Sequence, residues 1–209
     1  MVKAVLFDVD GTLIDSIQPI YLKFASTAKE MGLRVPSFEE FRSHVGRPWD
    51  EILLRLWPDF DPDDFTRVYR RTPEVVLPFP NLEEVFTSLS GRYRLGILTS
   101  RGKKSMLEHM KHGGIDVGIF EVVLSKDDLR KTKPDPEALR HGAEEFGLPV
   151  SEVLYVGDAL IDARCAKAAG MPFVAVESGG TPAEEFRKEG FVDVIKSVAE
   201  LSKFIEKRY

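Results

Sequence analysis

The run Val5-Leu6-Phe7-Asp8-Val9-Asp10-Gly11-Thr12-Leu13 drives an apolar segment straight into two carboxylates and a glycine. Val2 to Val9 is short, apolar and rich in Val, Leu and Phe, the composition of a strand buried on both faces of a parallel sheet. Side chains alternate along a strand, so Asp8 and Asp10, two apart, can project to the same side of its carboxyl end, where open α/β sheets hold ligands. Burial penalises charge, and packing alone gives no reason to end a buried strand this way. One carboxylate placed there can attack as a nucleophile while its neighbour moves a proton. The competing reading is a pair of capping aspartates in a strand-to-helix turn.

Three further segments supply what phosphoryl transfer through an aspartate would need. Leu95-Gly96-Ile97-Leu98-Thr99-Ser100 is an apolar run ending in hydroxyls. Thr99 or Ser100 can donate to a phosphate oxygen, or can serve as turn and cap for the helix that begins near Gly102. In Lys131-Thr132-Lys133-Pro134-Asp135-Pro136 two prolines stiffen the backbone around a lysine, and Pro136 suits a first helical turn. Val153-Leu154-Tyr155-Val156-Gly157-Asp158 is again an apolar run ending in Gly and Asp, with Asp162 four residues further on. Gly157 permits close backbone approach, and Asp158 and Asp162 can converge on a cation.

Taken in order, these segments resemble the four signature motifs of the haloacid dehalogenase-like (HAD) hydrolase superfamily, and the resemblance covers essentially the whole chain. The resemblance implies that Asp8 is the nucleophile that becomes an aspartyl-phosphate, that Asp10 is general acid and base, and that Thr99 binds phosphate. It implies that Lys133 neutralises phosphate and nucleophile. It also implies that Asp158, with Asp162 as second acid, binds a metal. Asp8-Val9-Asp10-Gly11-Thr12 followed by Leu13-Ile14-Asp15-Ser16 looks like the phosphoglycolate phosphatase and β-phosphoglucomutase branch. A carboxylate and a phosphate dianion repel each other, so attack requires cations. Magnesium, which takes oxygen ligands from one or two carboxylates, waters and substrate phosphate, is the expected cofactor. The resemblance implies that Asp8 and Asp158 hold it through side chains and Asp10 through its backbone carbonyl.

Between the first and second segments the period changes. Ile17, Ile20, Tyr21, Phe24, Ala28 and Met31 recur at helical spacing, and further helical patterns follow at Phe38 to Val45, Trp49 to Leu56 and Asp63 to Val76. Prolines at 36, 48, 58 and 62 punctuate them. This insertion resembles the C1 cap of the family, with hinges near Asp15-Ser16 and Leu77 to Pro80. After Pro80, helices and apolar strands alternate. Helices are expected at 82–89, 103–111, 136–146, 160–168 and from Val198, and strands at 94–99, 120–124, 152–156, 172–176 and 192–195. The fold class is therefore α/β, a Rossmann-like doubly wound parallel sheet with a small helical cap inserted after the first strand. The expected division is 1–15 with 81–209 as core and 16–80 as cap.

Substrate choice is expected to lie in the cap, at His44, Arg47 and Trp49 around Gly46. Arg47 can hold a second anionic group of the substrate bidentately or stand as a solvated loop residue. Trp49 and Trp57 can simply be cap core. His109 and His112, with no accompanying carboxylate signature, read as surface residues, and Cys165, among alanines, as a buried packing residue.

Composition bounds the partners. The net charge is −5, which gives no reason to expect nucleic acid or membrane binding. No apolar run approaches the length that crosses a bilayer. The start leads directly into Asp8 without a signal-peptide pattern, and the single cysteine excludes an internal disulfide, so a cytoplasmic location is expected. A monomer is the default. The function this predicts is a magnesium-dependent phosphatase of small phosphorylated metabolites. The alternatives are a phosphosugar mutase, disfavoured because Ile20 stands where the mutases carry a cap-hinge histidine, and a non-hydrolytic phosphoacceptor or binding protein. Haloalkanoate dehalogenases generally lack the second acid that Asp10 supplies, and no P-loop signature exists.

Overall fold

The computed structural model describes residues 1–44, 49–72 and 77–209. Two compact units emerge, Met1–Asp15 with Leu77–Tyr209, and Ser16–Val76.

In the first unit β1 (Ala4–Phe7) is central and wholly buried. It is shorter than the apolar run that contains it because the chain turns at once. Asp8 N still bonds Val156 O, but Val9 O then collects the amides of Thr12, Leu13 and Ile14. The turn requires Gly11, which has φ +76° and where a Cβ would lie 2.4 Å from Asp158 Oδ2. β2 (Ile14–Asp15) follows.

The second unit comprises α1 (Ile17–Glu30), α2 (Phe38–Arg42), α3 (Trp49–Leu56) and α4 (Pro62–Tyr69). Phe24, Phe41, Trp57, Phe65 and Tyr69 form its core, with Trp57 stacked on Phe24 at 5.3 Å. Each buried ring removes apolar surface worth roughly 1.5–3 kcal/mol. Both indole N–H groups end on oxygens, Trp57 Nε1 on Arg34 O at 3.1 Å and Trp49 Nε1 on Thr66 Oγ1 at 2.7 Å. Trp49 also meets Tyr69 at 4.9 Å between ring centroids and packs, half-buried, against the core of this unit. α2 stops at Arg42, short of the expected Val45, and α4 ends at Tyr69, short of Val76.

β3 (Leu77–Pro78) returns to the first unit and pairs antiparallel with β2, Ile14 opposite Pro78 and Asp15 opposite Leu77. Then come α5 (Leu82–Ser90), β4 (Arg94–Leu98), α6 (Lys103–His112), β5 (Val122–Leu124), α7 (Glu137–Glu145), β6 (Val153–Gly157), α8 (Leu160–Ala169), β7 (Phe173–Val176), α9 (Ala183–Lys188), β8 (Val194–Ile195) and α10 (Leu201–Arg208). The six-stranded sheet runs β5-β4-β1-β6-β7-β8 and all its pairings are parallel. One face of β1 sends Leu6 into a cluster with Ala138, Leu139, Phe146, Tyr155 and Cys165. The other sends Phe7 edge-on to Phe86 and Phe120, at 6.1 and 6.5 Å. Both faces are covered, which is why the strand is apolar throughout. The sequence pattern did not reveal β2, β3 or α9. Two-residue strands have no period, and α9 buries only Ala183 and Phe186.

Candidate active site

The ends of three adjacent strands meet at the centre of the sheet. Asp8 follows β1, Thr99 follows β4 and Asp158 follows β6, with β1 between the other two. Their side chains are held at the carboxyl edge, where the strand order diverges on either side of β1.

Asp8, Asp158 and Asp162 each present a carboxylate oxygen within 4.8 Å of the others. Lys133 Nζ enters among them, 2.6 Å from Asp162 Oδ1 and 3.2 Å from Asp8 Oδ1. The Asp8 contact is an ion pair without hydrogen-bond alignment, and Asp8 Oδ1 is buried with no hydrogen-bond partner. Thr12 Oγ1 lies 3.4 Å from Asp158 Oδ1. Asp162 is fully buried at the start of α8, where its Oδ2 accepts from Ala159 N at 3.1 Å. It packs against Gly157, where a Cβ would fall 2.7 Å from the Asp162 side chain. Asp162 Oδ1 accepts from Lys133 and from the Tyr155 hydroxyl, at 3.1 Å. Lys133 also donates to Tyr155 Oη at 3.0 Å, closing a buried triangle.

Electrostatics show what this arrangement lacks. Burial pushes the Asp8 carboxyl up to about 7; Lys133 pulls it back, while Asp162 and Asp10 add to the rise. Burial, then the neighbouring charges of Asp162 and Asp8, holds the Asp158 carboxyl well above the usual carboxylate range. Burial alone would lower Lys133, but Asp162 and Asp8 outweigh it and keep the ammonium charged. Burial raises Tyr155 further above its ordinary range, so its hydroxyl remains a donor. Three buried carboxylates therefore face one ammonium. The donor set is all oxygen, one carboxylate oxygen is orphaned, and the excess charge is negative, which fits a hard divalent cation.

Asp10 stands apart from this cluster. Its carboxylate is forked by Arg101, Nη2 to Oδ1 at 2.7 Å and Nε to Oδ2 at 2.8 Å. Thr99 is buried, and its Oγ1 accepts from Arg101 N at 3.1 Å. Ser100 is exposed and does not cap α6, whose first amide, Lys103 N, bonds Asp127 Oδ2 at 2.8 Å. Arg47 lies outside the described residues; His44 is half-buried at the end of α2.

His109 is not a surface residue. It is 4 % exposed on the inner face of α6, because it backs the Arg101 side chain; His112 is exposed. Arg101 and Tyr155 escaped the sequence reading. Arg101 directly follows Thr99-Ser100, and Arg101, Ser105 and His109 repeat every four residues, a helix-face spacing that could have revealed them. Tyr155 is indistinguishable in sequence from an ordinary strand aromatic.

A sequence profile described as haloacid dehalogenase-like hydrolase matches residues 5–176. The chain is a haloacid dehalogenase-like hydrolase. Phosphoglycolate phosphatase of Nitrosospira multiformis is 30 % identical over 220 residues, covering 99 % of this chain and 96 % of that one. A candidate pyrophosphatase of Clostridium perfringens is 29 % identical, covering 99 % of each. The crystal structure of a candidate haloacid dehalogenase-like hydrolase from Bacteroides fragilis superposes with a TM-score of 0.83 at 27 % identity, over 96 % of this chain and 100 % of that one. The hydrolase fold of the family is thus that of this chain. Among its described residues no helix is long and apolar enough to cross a membrane.

Proposed function

We propose that this hydrolase is a magnesium-dependent phosphatase of small phosphorylated metabolites that works through an aspartyl-phosphate on Asp8. The observation that carries the reading is the orphaned, buried Asp8 Oδ1 in a cluster with an excess of negative charge at the end of the central strand. A nucleophile needs an oxygen not already committed to hydrogen bonds, and Asp8 has one.

The metal would be held by the Asp8 and Asp158 side chains and by the Asp10 backbone carbonyl. Asp162 is occupied by Lys133, Tyr155 and Ala159 N, so its part is to fix the lysine. When bound, magnesium supplies the positive charge that lets a phosphate approach a carboxylate. Lys133 shares its charge between Asp8 and the incoming phosphate. Thr99 donates its hydroxyl proton to a phosphate oxygen while its own oxygen accepts from Arg101 N, and Ser100 lies next to it for the same use. Asp8 attacks phosphorus as Asp10 gives its proton to the leaving oxygen. Asp10 then takes a proton from the water that cleaves the aspartyl-phosphate. Positioning and electrostatic stabilisation supply most of such a rate, so a buried, cross-braced site suits it.

The substrate class rests on relatives named as phosphoglycolate phosphatase and pyrophosphatase. The family resemblance assigns substrate selection to the Ser16–Val76 unit, with Arg47 as the candidate holder of a second anionic group. Hydrolysis is favoured over phosphosugar mutation because Ile20 packs against the aromatic cluster, and a hydrocarbon there cannot transfer a proton.

Hydrolysis of 4-nitrophenyl phosphate with magnesium or with EDTA, by the native chain, Asp8→Asn and Asp10→Asn, tests the reading. Magnesium-dependent turnover that Asp8→Asn abolishes and Asp10→Asn strongly reduces supports it. Turnover retained by Asp8→Asn overturns it. A chain that hydrolyses no phosphomonoester yet keeps a phosphoryl label on Asp8 would be a mutase or phosphoacceptor.

A further inference from the structure

We infer that Arg101 is the positioning residue of Asp10, and that Ser105 and His109 on α6 are the support that aims it. The inference rests on the phosphatase reading above, in which Asp10 moves the proton.

The geometry is a chain of braces. Two guanidinium nitrogens of Arg101 reach the two oxygens of Asp10, at 2.7 and 2.8 Å, which fixes the plane of the carboxylate as well as its place. The third nitrogen, Nη1, is turned toward α6, 3.0 Å from Ser105 Oγ and 3.3 Å from His109 Nε2. A guanidinium only donates, so His109 Nε2 is the acceptor and its ring proton sits on Nδ1. Nδ1 in turn faces Asp10 Oδ1 at 3.9 Å. The backbone of Arg101 is tied as well, its amide donating to Thr99 Oγ1 at 3.1 Å. The Arg101 and Asp10 side chains are 18 % and 28 % exposed, so the pair sits at the site's edge without being freely solvated.

Such a construction suits a group whose direction matters. Asp10 lies in a tight turn outside the sheet ladder, so nothing in the strand fixes its rotamer. Lysine in place of Arg101 would offer a point charge and one contact where the planar fork offers two. Within the site Arg101 grips the Asp10 carboxylate, so its effect on chemistry passes through Asp10.

Two aryl esters that differ in leaving-group basicity test this, with kcat/KM as readout because it covers the steps up to release of the first product. Phenyl phosphate expels a basic phenolate and depends on the proton from Asp10; 4-nitrophenyl phosphate expels a weakly basic one and hardly does. A displaced general acid costs roughly 10²-fold. Arg101→Gln should therefore lower kcat/KM about 10²-fold for phenyl phosphate and less than about 10-fold for 4-nitrophenyl phosphate. Arg101→Lys, which keeps the charge and guards against a failure to fold, should fall between Gln and native. Equal losses on both esters, or no loss on either, would overturn the inference. A native chain that hydrolyses neither ester with magnesium would instead remove the phosphatase reading and, with it, this role for Arg101.

Discussion

Trp49 and Trp57 in the helical unit bury polar N–H groups that end on Thr66 Oγ1 and Arg34 O, inside a stack of aromatic rings. Asp8 and Asp158 in the sheet unit are buried, yet burial and like charges push both carboxyls up and one Asp8 oxygen has no hydrogen bond. The first arrangement closes its own polar accounts and yields stability. The second leaves charge unbalanced, which a fold does not do for its own sake. Interiors with satisfied polar groups report on packing, and an interior that is unsatisfied at a strand end reports on a ligand.

The largest effect that sharpens the contrast is chemical. Asp8→Asn should abolish turnover by roughly 10⁴-fold or more, while metal-free thermal unfolding at neutral pH shows stability equal to or above native, since a repelling charge is gone. A stability loss as large as that of a core truncation would show that Asp8 serves the fold. On the other side, Phe24→Ala should cost about 3–5 kcal/mol in denaturant unfolding, because it empties the centre of the aromatic cluster. A cost below about 1 kcal/mol would mean that the helical unit is not packed as described.

Metal removal comes next. The folded state raises the Asp8 carboxyl, so this group's stabilising contribution is complete below its ordinary value of 3.8 and lost as pH rises through about 7. The metal-free protein should thus lose stability from this group between those limits. Magnesium replaces the proton, so its Tm gain should be larger at pH 8 than at pH 5, worth about 2.7 kcal/mol at a hundredfold excess over Kd. A gain that is the same at both pH values would detach the metal from Asp8. The smallest effect belongs to Trp49→Phe, which forfeits one hydrogen bond and should cost about 1 kcal/mol with kcat/KM unchanged. A fall in kcat/KM at native stability would make Trp49 a substrate contact.

Much of the sheet unit was legible because its chemistry sits at strand ends, and strand ends are where apolar runs stop. Asp8, Thr99 and Asp158 each close such a run, and Lys133 directly precedes Pro134 and, two residues on, Pro136. What stayed hidden acts across the chain. The hold of Arg101 on Asp10 joins residues 91 positions apart, and the triangle of Lys133, Tyr155 and Asp162 joins three segments. His109 read as surface because a histidine in a polar helix resembles every other, until the guanidinium it backs is seen. β1 proved shorter than its apolar run since Val9 O binds three amides of the following turn, a preference hydrophobicity does not record.

The most direct test of the central claim is to quench the turning-over enzyme, reduce any acyl phosphate with borohydride, and locate the product by peptide mass spectrometry. Homoserine is expected at position 8 alone, dependent on magnesium and on a phosphomonoester, and enriched in Asp10→Asn if the second proton transfer is slowed more than the first. Steady turnover with an unmodified Asp8, or label on another carboxylate, would contradict it.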